Sequence, residues 1–279
     1  MSWHLSSKYL KEMIIKKKIN KHPCLICGKE AFKKFVKNSK IGIVDYFECS
    51  KCGHLTAGKL KEDFSYNKGS YFKTIDTGWK NRNIKICNFL RLIAILPGFD
   101  FSKKSVILDY GSGMGSLVQQ LINNGFNAFG YEPHKYSCFV SSRVFSNFNI
   151  LRQEFQRVHI VAFIELLEHL RKPDEVLDDA SNLLVSNGYI IISTELYKRG
   201  FHNKDWYYLN PNAGHFSIFT ELSLKTLMSK HSFYPIIRIN DQVWLFRRIS
   251  KRRINFLEST YFVLSQIRIK LNIRKKYIA

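Results

Sequence analysis

One glycine-rich segment limits what this chain can fold into more than any other feature. Residues 105–109 form a short apolar run that leads directly into residues 109–115, which read D-Y-G-S-G-M-G. Helical spacing follows over residues 117–124, and a second apolar run ends in an acid at Glu132. Glycines let the backbone pass close to a nucleoside, and the helix that follows them points its N-terminus at the ligand. This order predicts an α/β, doubly wound sheet that binds a nucleoside-containing cofactor.

The residues around the glycines distinguish between two classes of cofactor. The dinucleotide pattern G-x-G-x-x-G/A needs glycine or alanine at its last position, where this chain has Ser116 or Val118. Asp109 would repel a diphosphate but attract the ammonium group of a sulfonium amino acid. Glu132 is placed to accept hydrogen bonds from both ribose hydroxyls. The two acids therefore favour S-adenosylmethionine (SAM) over a dinucleotide.

Four of the six cysteines form two C-x2-C pairs near the N-terminus. Each pair can hold one ion from a tight turn, and the glycine after each pair relieves the backbone. No secretion signal is visible, so the spacing indicates metal binding and not disulfides. We predict a zinc ribbon over residues 23–60, either a docking element or a reader of nucleic acid. Its structural zinc would be bound by Cys24, Cys27, Cys49 and Cys52, which leaves His54 unnecessary as a ligand.

The glycine-rich segment and several later segments of the chain resemble those of a known family. Residues 106–115 and 131–133 resemble motif I and the second-strand acid of class I SAM-dependent methyltransferases. Residues 164–173 resemble the E-x-x-E-H-L-x-x-P segment of their ubiquinone-type and sugar branch. Residues 205–220 resemble the W…H-x-x-x-F-S/T element of surface-glycan methyltransferases, which often carry an N-terminal four-cysteine zinc ribbon. The resemblance covers roughly residues 23–245.

The resemblance implies a Rossmann-like, seven-stranded methyltransferase sheet preceded by the small zinc ribbon. The cofactor-binding residues that we predict are Asp109, Gly111, Gly113, Gly115, Glu132, Pro133 and Glu165. The predicted boundaries are a basic lead-in (1–22), the ribbon (23–60), an aromatic linker with cap helices (61–100), the SAM-binding domain (101–245) and a basic C-terminal helix (246–279). The chain departs from the family at His159, because an aspartate usually begins the fourth strand.

Two histidines are candidates for the base that an oxygen nucleophile requires. His169 follows the fourth strand and His215 follows the fifth, so both fall at the sheet edge where such folds bind ligands. A histidine titrates near neutral pH and can accept a hydroxyl proton. We predict that His169, His215 and Glu168 are catalytic. The alternative is that Glu168 solvates a helix start and that His169 only packs beside the site.

A divalent metal is a further hypothesis for the same residues. Glu165, Glu168 and His169 stand at positions i, i+3 and i+4, which share one face if the segment is helical. With His215 they offer oxygen and nitrogen donors that suit magnesium or manganese. In ubiquinone-pathway and small-RNA 2′-O-methyltransferases a matching pattern binds metal, whereas in the sugar branch it usually lines the pocket without metal.

The net charge of +22 is concentrated at the two ends of the chain. Residues 1–60 carry 13 Lys and Arg against 4 Asp and Glu, residues 238–279 carry 11 against 2, and residues 61–237 carry 20 against 16. The basic ends indicate contact with an anionic partner, or only well-solvated termini. Residues 254–274 have the pattern of a basic amphipathic helix, which either lies on an anionic membrane face or packs on the sheet.

Three functions are compatible with these features. The first is methyl transfer to a small-molecule or glycan acceptor, namely a sugar hydroxyl in surface-polysaccharide synthesis. The second is an RNA methyltransferase, which the basic ends favour but the nearly neutral middle disfavours. The third is a non-catalytic binding protein, which the intact glycine segment argues against. With no apolar run long enough to cross a membrane and no signal peptide, we expect a cytoplasmic protein that can contact the inner membrane face.

Overall fold

The computed structural model of this chain describes residues 21–40, 42–58, 78–134, 139–238 and 242–248. The predicted lead-in up to residue 20, the aromatic stretch 59–77 and the basic helix beyond residue 248 lie outside the described residues. The chain divides into two compact units. The ribbon unit contains residues 1–64, 168–172 and 195–227, and the sheet unit contains residues 65–167, 173–194 and 228–279.

Twelve strands and five α-helices are found in the described ranges. In chain order the strands are β1 (Lys21–Pro23), β2 (Glu30–Ser39), β3 (Gly42–Cys49), β4 (Leu55–Ala57), β5 (Val106–Tyr110), β6 (Asn127–Tyr131), β7 (Val144–Phe145), β8 (Val158–Ile164), β9 (Leu184–Ser193), β10 (Ser217–Ile218), β11 (Phe233–Arg238) and β12 (Val243–Arg248). The helices are α1 (Trp79–Ile93), α2 (Ser116–Asn123), α3 (Phe148–Glu154), α4 (Pro173–Leu183) and α5 (Glu221–Lys230).

The sheet unit is built on a seven-stranded sheet in the order β11-β12-β9-β8-β5-β6-β7. The five strands from β5 to β9 run parallel, and β12 is antiparallel to both β9 and β11. Parallel neighbours need long crossover connections, and helices supply them here. Strand β8 reads as an almost continuous apolar run because both of its faces are covered. The predicted doubly wound, Rossmann-like sheet is confirmed.

The core of the sheet unit lies between the central strands and helices α1 and α2. Ile86, Leu90 and Ile93 of α1 and Val118 and Leu121 of α2 are buried in one cluster with residues of β5, β8, β9 and β12. Helix α1 was assigned by its sequence to a linker, but its buried face makes it part of this core. None of the described helices is long and apolar enough to cross a membrane.

The ribbon unit contains a five-stranded antiparallel sheet in the order β1-β2-β3-β4-β10. Its last strand, β10, comes from far along the chain and pairs with β4. The buried cluster of the unit joins Tyr46 and Leu55 of the ribbon strands to Tyr197, Tyr208 and Phe216. A ribbon of about 30 residues cannot bury such side chains alone. The compact unit therefore takes in segments that the sequence boundaries place in the SAM-binding domain.

Gly130, in the middle of β6, marks a close approach that the sequence signals only as a glycine inside a strand. A Cβ at this position would lie 2.4 Å from Ser112 Oγ and 2.8 Å from Ser112 Cβ. We predict that Gly130→Ala lowers the free energy of unfolding by about 1–3 kcal/mol, because the glycine turn must shift. Urea denaturation measures this change. The double variant Ser112→Gly/Gly130→Ala should recover part of the loss, and equal stability of Gly130→Ala and wild type would contradict the packing.

Candidate functional site

The turn between β5 and α2 is held in a conformation that L side chains rarely adopt. Gly111, Gly113 and Gly115 have φ values of +78°, +53° and +74°. At Gly111 a Cβ would also lie 2.8 Å from a methyl group of Leu166. The amides of Gly111 and Ser112 both donate to the carbonyl oxygen of Tyr131, at 2.8 and 3.0 Å. The three predicted glycines are thus necessary for the turn, which is tied to the end of β6.

The N-terminus of α2 is presented without a side-chain cap. Gly115 is the N-cap residue and has no side chain that could accept from the first helical amides. These amides carry the positive end of the helix dipole, which favours an electronegative ligand group. Asn83 of α1 approaches from the side and donates to Ser116 Oγ at 3.2 Å. The first backbone amides of α2 can therefore bind a ligand. Asn83 of α1 positions Ser116, the first residue of α2.

Glu132, at the end of β6, is buried and holds the glycine turn. Its Oε2 accepts from the Gly113 amide and its Oε1 accepts from the His134 amide, both at 3.0 Å. Burial raises the pKa of Glu132, whereas these two amides oppose the shift. Each carboxylate oxygen has a second lone pair, so both can also accept from ribose hydroxyls. The predicted residue Pro133, which stands between Glu132 and His134 in the sequence, is exposed.

Asp109, the last acid before the glycines, is 4% exposed. Burial and then the charge of Glu132 raise its pKa from 3.8 to about 7, and the positive charge of Arg82 acts in the opposite direction. A buried acid of this kind is stabilised as an anion by an incoming cation. Arg82 belongs to α1, and nothing in the sequence pattern distinguished it from the other basic residues of that helix.

Glu165, directly after β8, has a backbone conformation that is unusual for a residue with a side chain. Its φ is +50°. Its amide donates to the Ser193 carbonyl oxygen at 2.9 Å, and its Oε1 accepts from Ser193 Oγ at 2.8 Å. Such strain costs about 1–3 kcal/mol and concentrates at functional sites.

His159 stands in β8 where the family usually has an aspartate, and the structure shows what it does there. Its Nδ1 accepts from the amide of Val106, at the start of β5, at 3.1 Å.

Glu165, Glu168 and His169 do not share a helical face, an arrangement that was expected only if their segment were helical. The segment is not an α-helix: Glu165 is left-handed and residues Leu167–His169 form one 3-10 turn. The structure instead groups Glu168, His169 and His215, all in the ribbon unit, with one ligand atom of each within 4.8 Å of the others. We call these three residues the Glu–His cluster. It contains all of the residues that the sequence predicts as catalytic.

Glu168 is fully buried within the Glu–His cluster. Its Oε1 accepts from the Tyr208 hydroxyl at 2.6 Å and lies 4.0 Å from His169 Nε2. The Glu168 carbonyl oxygen accepts from the Phe216 amide at 2.8 Å. A carboxylate at this depth is held in place by hydrogen bonds and does not simply solvate a helix start. Tyr208 was not identified from sequence, because an isolated tyrosine in a turn carries no local signal.

The two imidazole rings of the cluster have defined tautomers. His169 Nδ1 lies 3.1 Å from the Gly214 carbonyl oxygen, and His215 Nδ1 lies 2.7 Å from the Tyr208 carbonyl oxygen. A carbonyl oxygen only accepts, so each Nδ1 carries the proton and each Nε2 carries the lone pair of the neutral ring. Burial lowers the pKa of His169 to about 4; burial and His169 lower that of His215 to about 3. Both rings are therefore neutral at pH 7.

The four predicted cysteines converge, with all four sulfur atoms within 4.8 Å of one another. Cys24 and Cys52 sulfurs are 3.6 Å apart, and Cys27 and Cys49 sulfurs are 3.3 Å apart. A tetrahedral zinc site with bonds of about 2.3 Å separates its sulfurs by roughly 3.8 Å. The glycines after both pairs have positive φ, +71° at Gly28 and +73° at Gly53. This group, which we call the cysteine cluster, has the donors and spacing of a structural zinc site.

The second cysteine pair is clamped by residues from the later part of the ribbon unit. Arg199 donates to the Cys49 carbonyl oxygen and forms an ion pair with Glu48. Thr220 Oγ1 donates to the Cys52 carbonyl oxygen. On the strand that precedes this pair, the Tyr46 hydroxyl donates to the His215 carbonyl oxygen at 2.7 Å. The ribbon is therefore bonded directly to the segment that carries the Glu–His cluster.

His54 is not one of the ligands grouped with the cysteines. It is fully buried, and its ring lies 4.8 Å from that of Phe219. Burial lowers its pKa to about 3, so it is neutral.

A comparison with known protein families finds one whose model matches more than half of this chain. The model of a family described as "Methyltransferase domain" matches residues 79–236 of this chain. No curated protein matches.

Several solved structures are similar to this chain. One is 1,6-didemethyltoxoflavin-N1-methyltransferase of Burkholderia thailandensis, with 1,6-didemethyltoxoflavin and S-adenosylhomocysteine bound. Its sequence is 15% identical to this one, the alignment covers 71% of this chain and 96% of that chain, and the TM-score is 0.45. Another is a SAM-dependent methyltransferase of Archaeoglobus fulgidus, with 14% identity, coverage of 73% and 91%, and a TM-score of 0.46. A third is magnesium protoporphyrin IX methyltransferase of Synechocystis PCC 6803 with bound SAM, with 12% identity, coverage of 67% and 87%, and a TM-score of 0.39.

The raised pKa of Asp109 predicts how stability changes with pH when no ligand is bound. The folded protein holds this proton up to about pH 7, whereas the unfolded chain releases it near pH 3.8. The contribution of Asp109 to the free energy of unfolding therefore falls as pH rises from about 4 to 7, and is constant above that. Asp109→Asn should flatten this slope in urea titrations across the range. The exposed Asp205→Asn is the control, and an unchanged slope in Asp109→Asn would refute the assignment.

Proposed function

Since this chain belongs to the methyltransferase-domain family and is a class I SAM-dependent methyltransferase, we propose that it methylates a sugar hydroxyl. The acceptor would be a small nucleotide-linked sugar or a lipid-linked glycan of surface-polysaccharide synthesis. The observation that carries this proposal is the Glu–His cluster, which brings one carboxylate and two imidazole nitrogens within 4.8 Å. Such a group can bind a hydroxyl and accept its proton.

The glycine turn and its two acids fit SAM, whose sulfonium supplies an electrophilic methyl group. Asp109 would bind the ammonium group of the cofactor, because a buried acid at this position gains from a nearby cation. Glu132 would accept from the ribose hydroxyls with the lone pairs that its two amide donors do not use. Gly111, Gly113 and Gly115 let the backbone approach the nucleoside, since no side chain stands in the way.

The Glu–His cluster would activate the acceptor. When the acceptor oxygen forms its bond to the methyl carbon, the bond from that carbon to sulfur breaks and the hydroxyl proton must leave. His169 or His215 would take that proton on Nε2, whose lone pair is set by the Nδ1 hydrogen bond to a backbone carbonyl. Glu168 would stabilise the imidazolium that results. In the chain only Leu166 and Leu167 separate Glu165, which follows β8, from Glu168.

The same three residues also fit a divalent metal. Each histidine donates its Nδ1 proton to a backbone carbonyl, which is how proteins orient a metal-binding imidazole. One carboxylate and two imidazoles suit manganese, iron or zinc better than magnesium. A bound metal would lower the pKa of an acceptor hydroxyl. Glu165 is left out of this set because its carboxylate accepts from Ser193.

We further propose that the cysteine cluster holds a structural zinc ion. The sulfur separations fit the tetrahedral geometry of that ion. Because the carbonyl oxygens of Cys49 and Cys52 are bound by Arg199 and Thr220, the ion would stabilise the whole ribbon unit and not only its first strands. This favours a scaffold for the Glu–His cluster over a reader of nucleic acid.

An RNA methyltransferase is the second candidate, because both ends of the chain carry an excess of nine positive charges. Within the described ribbon, however, Lys21, Lys33 and Lys34 form ion pairs with Glu30, Asp45 and Glu48. These pairs reduce the positive charge that a phosphate backbone would meet.

We also propose that the basic C-terminal stretch, which lies outside the described residues, contacts an anionic membrane that carries lipid-linked glycans.

Methyl transfer from SAM with a tritiated methyl group tests the acceptor. We expect label in nucleotide-linked or lipid-linked sugars and not in RNA. His215→Ala and Glu168→Gln should each lower the rate by about 10²-fold or more, because the proton acceptor or its partner is lost. His22→Ala, a ribbon-unit histidine outside the Glu–His cluster, is the control.

Two results would decide against parts of this proposal. Label in RNA, with binding that weakens steeply as salt rises, would favour the second candidate. Full activity of the Glu168→Ala variant in the presence of a chelator would exclude a divalent metal from the mechanism. If the metal is used, chelation should abolish the activity of the wild-type protein and manganese should restore it.

The zinc proposal predicts about one zinc ion per chain in the purified protein, measured by elemental analysis. Cys49→Ser should lose the ion and lower the melting temperature of the ribbon unit, because metal binding contributes to folding. Cys87→Ser is the matched control, since Cys87 is a buried cysteine of the sheet unit. Full zinc content in Cys49→Ser would rule out the four-sulfur site.

A further inference from the structure

A turn of the ribbon unit displays aromatic rings that the proposed chemistry does not use. Residues 197–208, which we call the aromatic turn, contain Tyr197, Phe201, His202, Trp206, Tyr207 and Tyr208. We propose that the aromatic turn stacks on sugar rings of the acceptor beyond the ring that is methylated. This inference rests on the proposed function, because it concerns how the same acceptor is held.

The aromatic turn is a well-ordered structure and not a loose loop. The amides of Phe201 and His202 both donate to the Lys198 carbonyl oxygen, at 3.1 and 3.0 Å. The Lys198 amide donates to His202 Nδ1 at 3.1 Å, which fixes the imidazole. The His202 ring then stacks on Trp206, with centroids 4.0 Å apart and planes at 13°. The His202 and Trp206 rings are therefore held in place before any ligand binds, which lowers the entropy cost of binding at this turn.

Two rings of the turn are nevertheless directed to solvent. Phe201 is 78% exposed and Tyr207 is 68% exposed, more than any other aromatic side chain in the described ranges. Trp206, between them in the fold of the turn, is half-buried against the core of the ribbon unit. A turn that is rigid but keeps large apolar rings in water is typical of a binding surface.

The groups around these rings favour a sugar over a phosphate. One face of a pyranose ring presents C–H groups, which carry partial positive charge and pack on the negative face of an aromatic ring. Asn203 and Asp205, both exposed, offer amide and carboxylate groups for hydroxyls. Among the cations of the turn, Arg199 is paired with Glu48, and Asp205 offsets one of the two charges of Lys198 and Lys204. Lys37 of β2 also reaches the turn, where its Nζ donates to the Lys204 carbonyl oxygen at 2.8 Å. The exposed rings, and not this modest positive charge, therefore carry the preference for a sugar.

Ring contacts connect the turn to the Glu–His cluster within the ribbon unit. The Tyr207 and Tyr208 rings are 6.0 Å apart at 76°. Tyr208 in turn donates to Glu168 and lies 4.3 Å from the His215 ring. An acceptor with one hydroxyl at the cluster would thus place its next sugar near Tyr207. The expected ligand is a neutral oligosaccharide of at least two pyranose units.

Saturation-transfer NMR with the full chain and SAM tests this binding. The probes are methyl glycosides of glucose, galactose, mannose and rhamnose, the matching disaccharides, and a single-stranded RNA 20-mer. We expect disaccharides to bind about tenfold more tightly than monosaccharides, and Tyr207→Ala and Phe201→Ala to remove that advantage. Tyr207→Phe keeps the ring and should behave as wild type. Phe32→Ala, which removes a 46% exposed ring on β2 of the same unit, is the matched control.

The possible outcomes separate this inference from the proposed function. If saccharides are methylated but Tyr207→Ala and Phe201→Ala bind disaccharides as well as wild type, the stacking surface is refuted and the proposed function stands. If no saccharide binds or is methylated, both are refuted. Loss of RNA binding in Tyr207→Ala, without saccharide binding to the wild type, would assign the surface to RNA and overturn the inference. The indole N–H signal of Trp206, identified among those of the four tryptophans with a Trp206→Phe variant, checks that each variant keeps the fold of the turn.

Discussion

The turn from β5 to α2 exists only because three residues can adopt positive φ without a steric penalty. Gly111 passes against Leu166 with no room for a Cβ, and its amide and that of Ser112 donate to the Tyr131 carbonyl oxygen at the end of β6. This steric constraint positions the start of α2, the buried Asp109 before it and the Glu132 carboxylate that bonds back to Gly113. The cofactor-binding part of the sheet unit therefore depends on a backbone conformation, around which the acids are arranged.

The ribbon unit depends on a different constraint, which is the burial of polar groups that need partners. The Glu168 side chain is fully buried and accepts a hydrogen bond from the Tyr208 hydroxyl. The two imidazoles donate their Nδ1 protons to the backbone carbonyl oxygens of Gly214 and Tyr208, which orients both rings. Tyr46, a residue of the cysteine-bearing ribbon, bonds to the His215 backbone. The ribbon and the Glu–His cluster are thus parts of one hydrogen-bonded structure.

Most of the sheet unit could be predicted from sequence because its signals are local. The strand at 105–109, the glycines, the helix that follows and the acid at Glu132 lie within about 30 consecutive residues, where periodicity and steric rules apply directly. The four cysteines were equally readable, since two C-x2-C pairs can be recognised without knowing the fold. In contrast, the sequence could not decide whether Glu165, Glu168 and His169 share a helical face, because the backbone of Glu165 is set by its bonds to Ser193, 28 positions later at the end of β9.

The sequence alone determined the fold class, the glycine turn, the four residues of the cysteine cluster and the identity of the Glu–His cluster residues, because each is a matter of residue type and of recognisable motifs. Only the tertiary structure decided that β10 joins the ribbon sheet and that Tyr208 and Tyr46 hold the cluster. The same is true of Arg82 beside Asp109 and of the exposed rings of the aromatic turn. These contacts join residues up to about 170 positions apart, and no local pattern encodes a hydrogen bond whose partner is brought near only when the chain has folded.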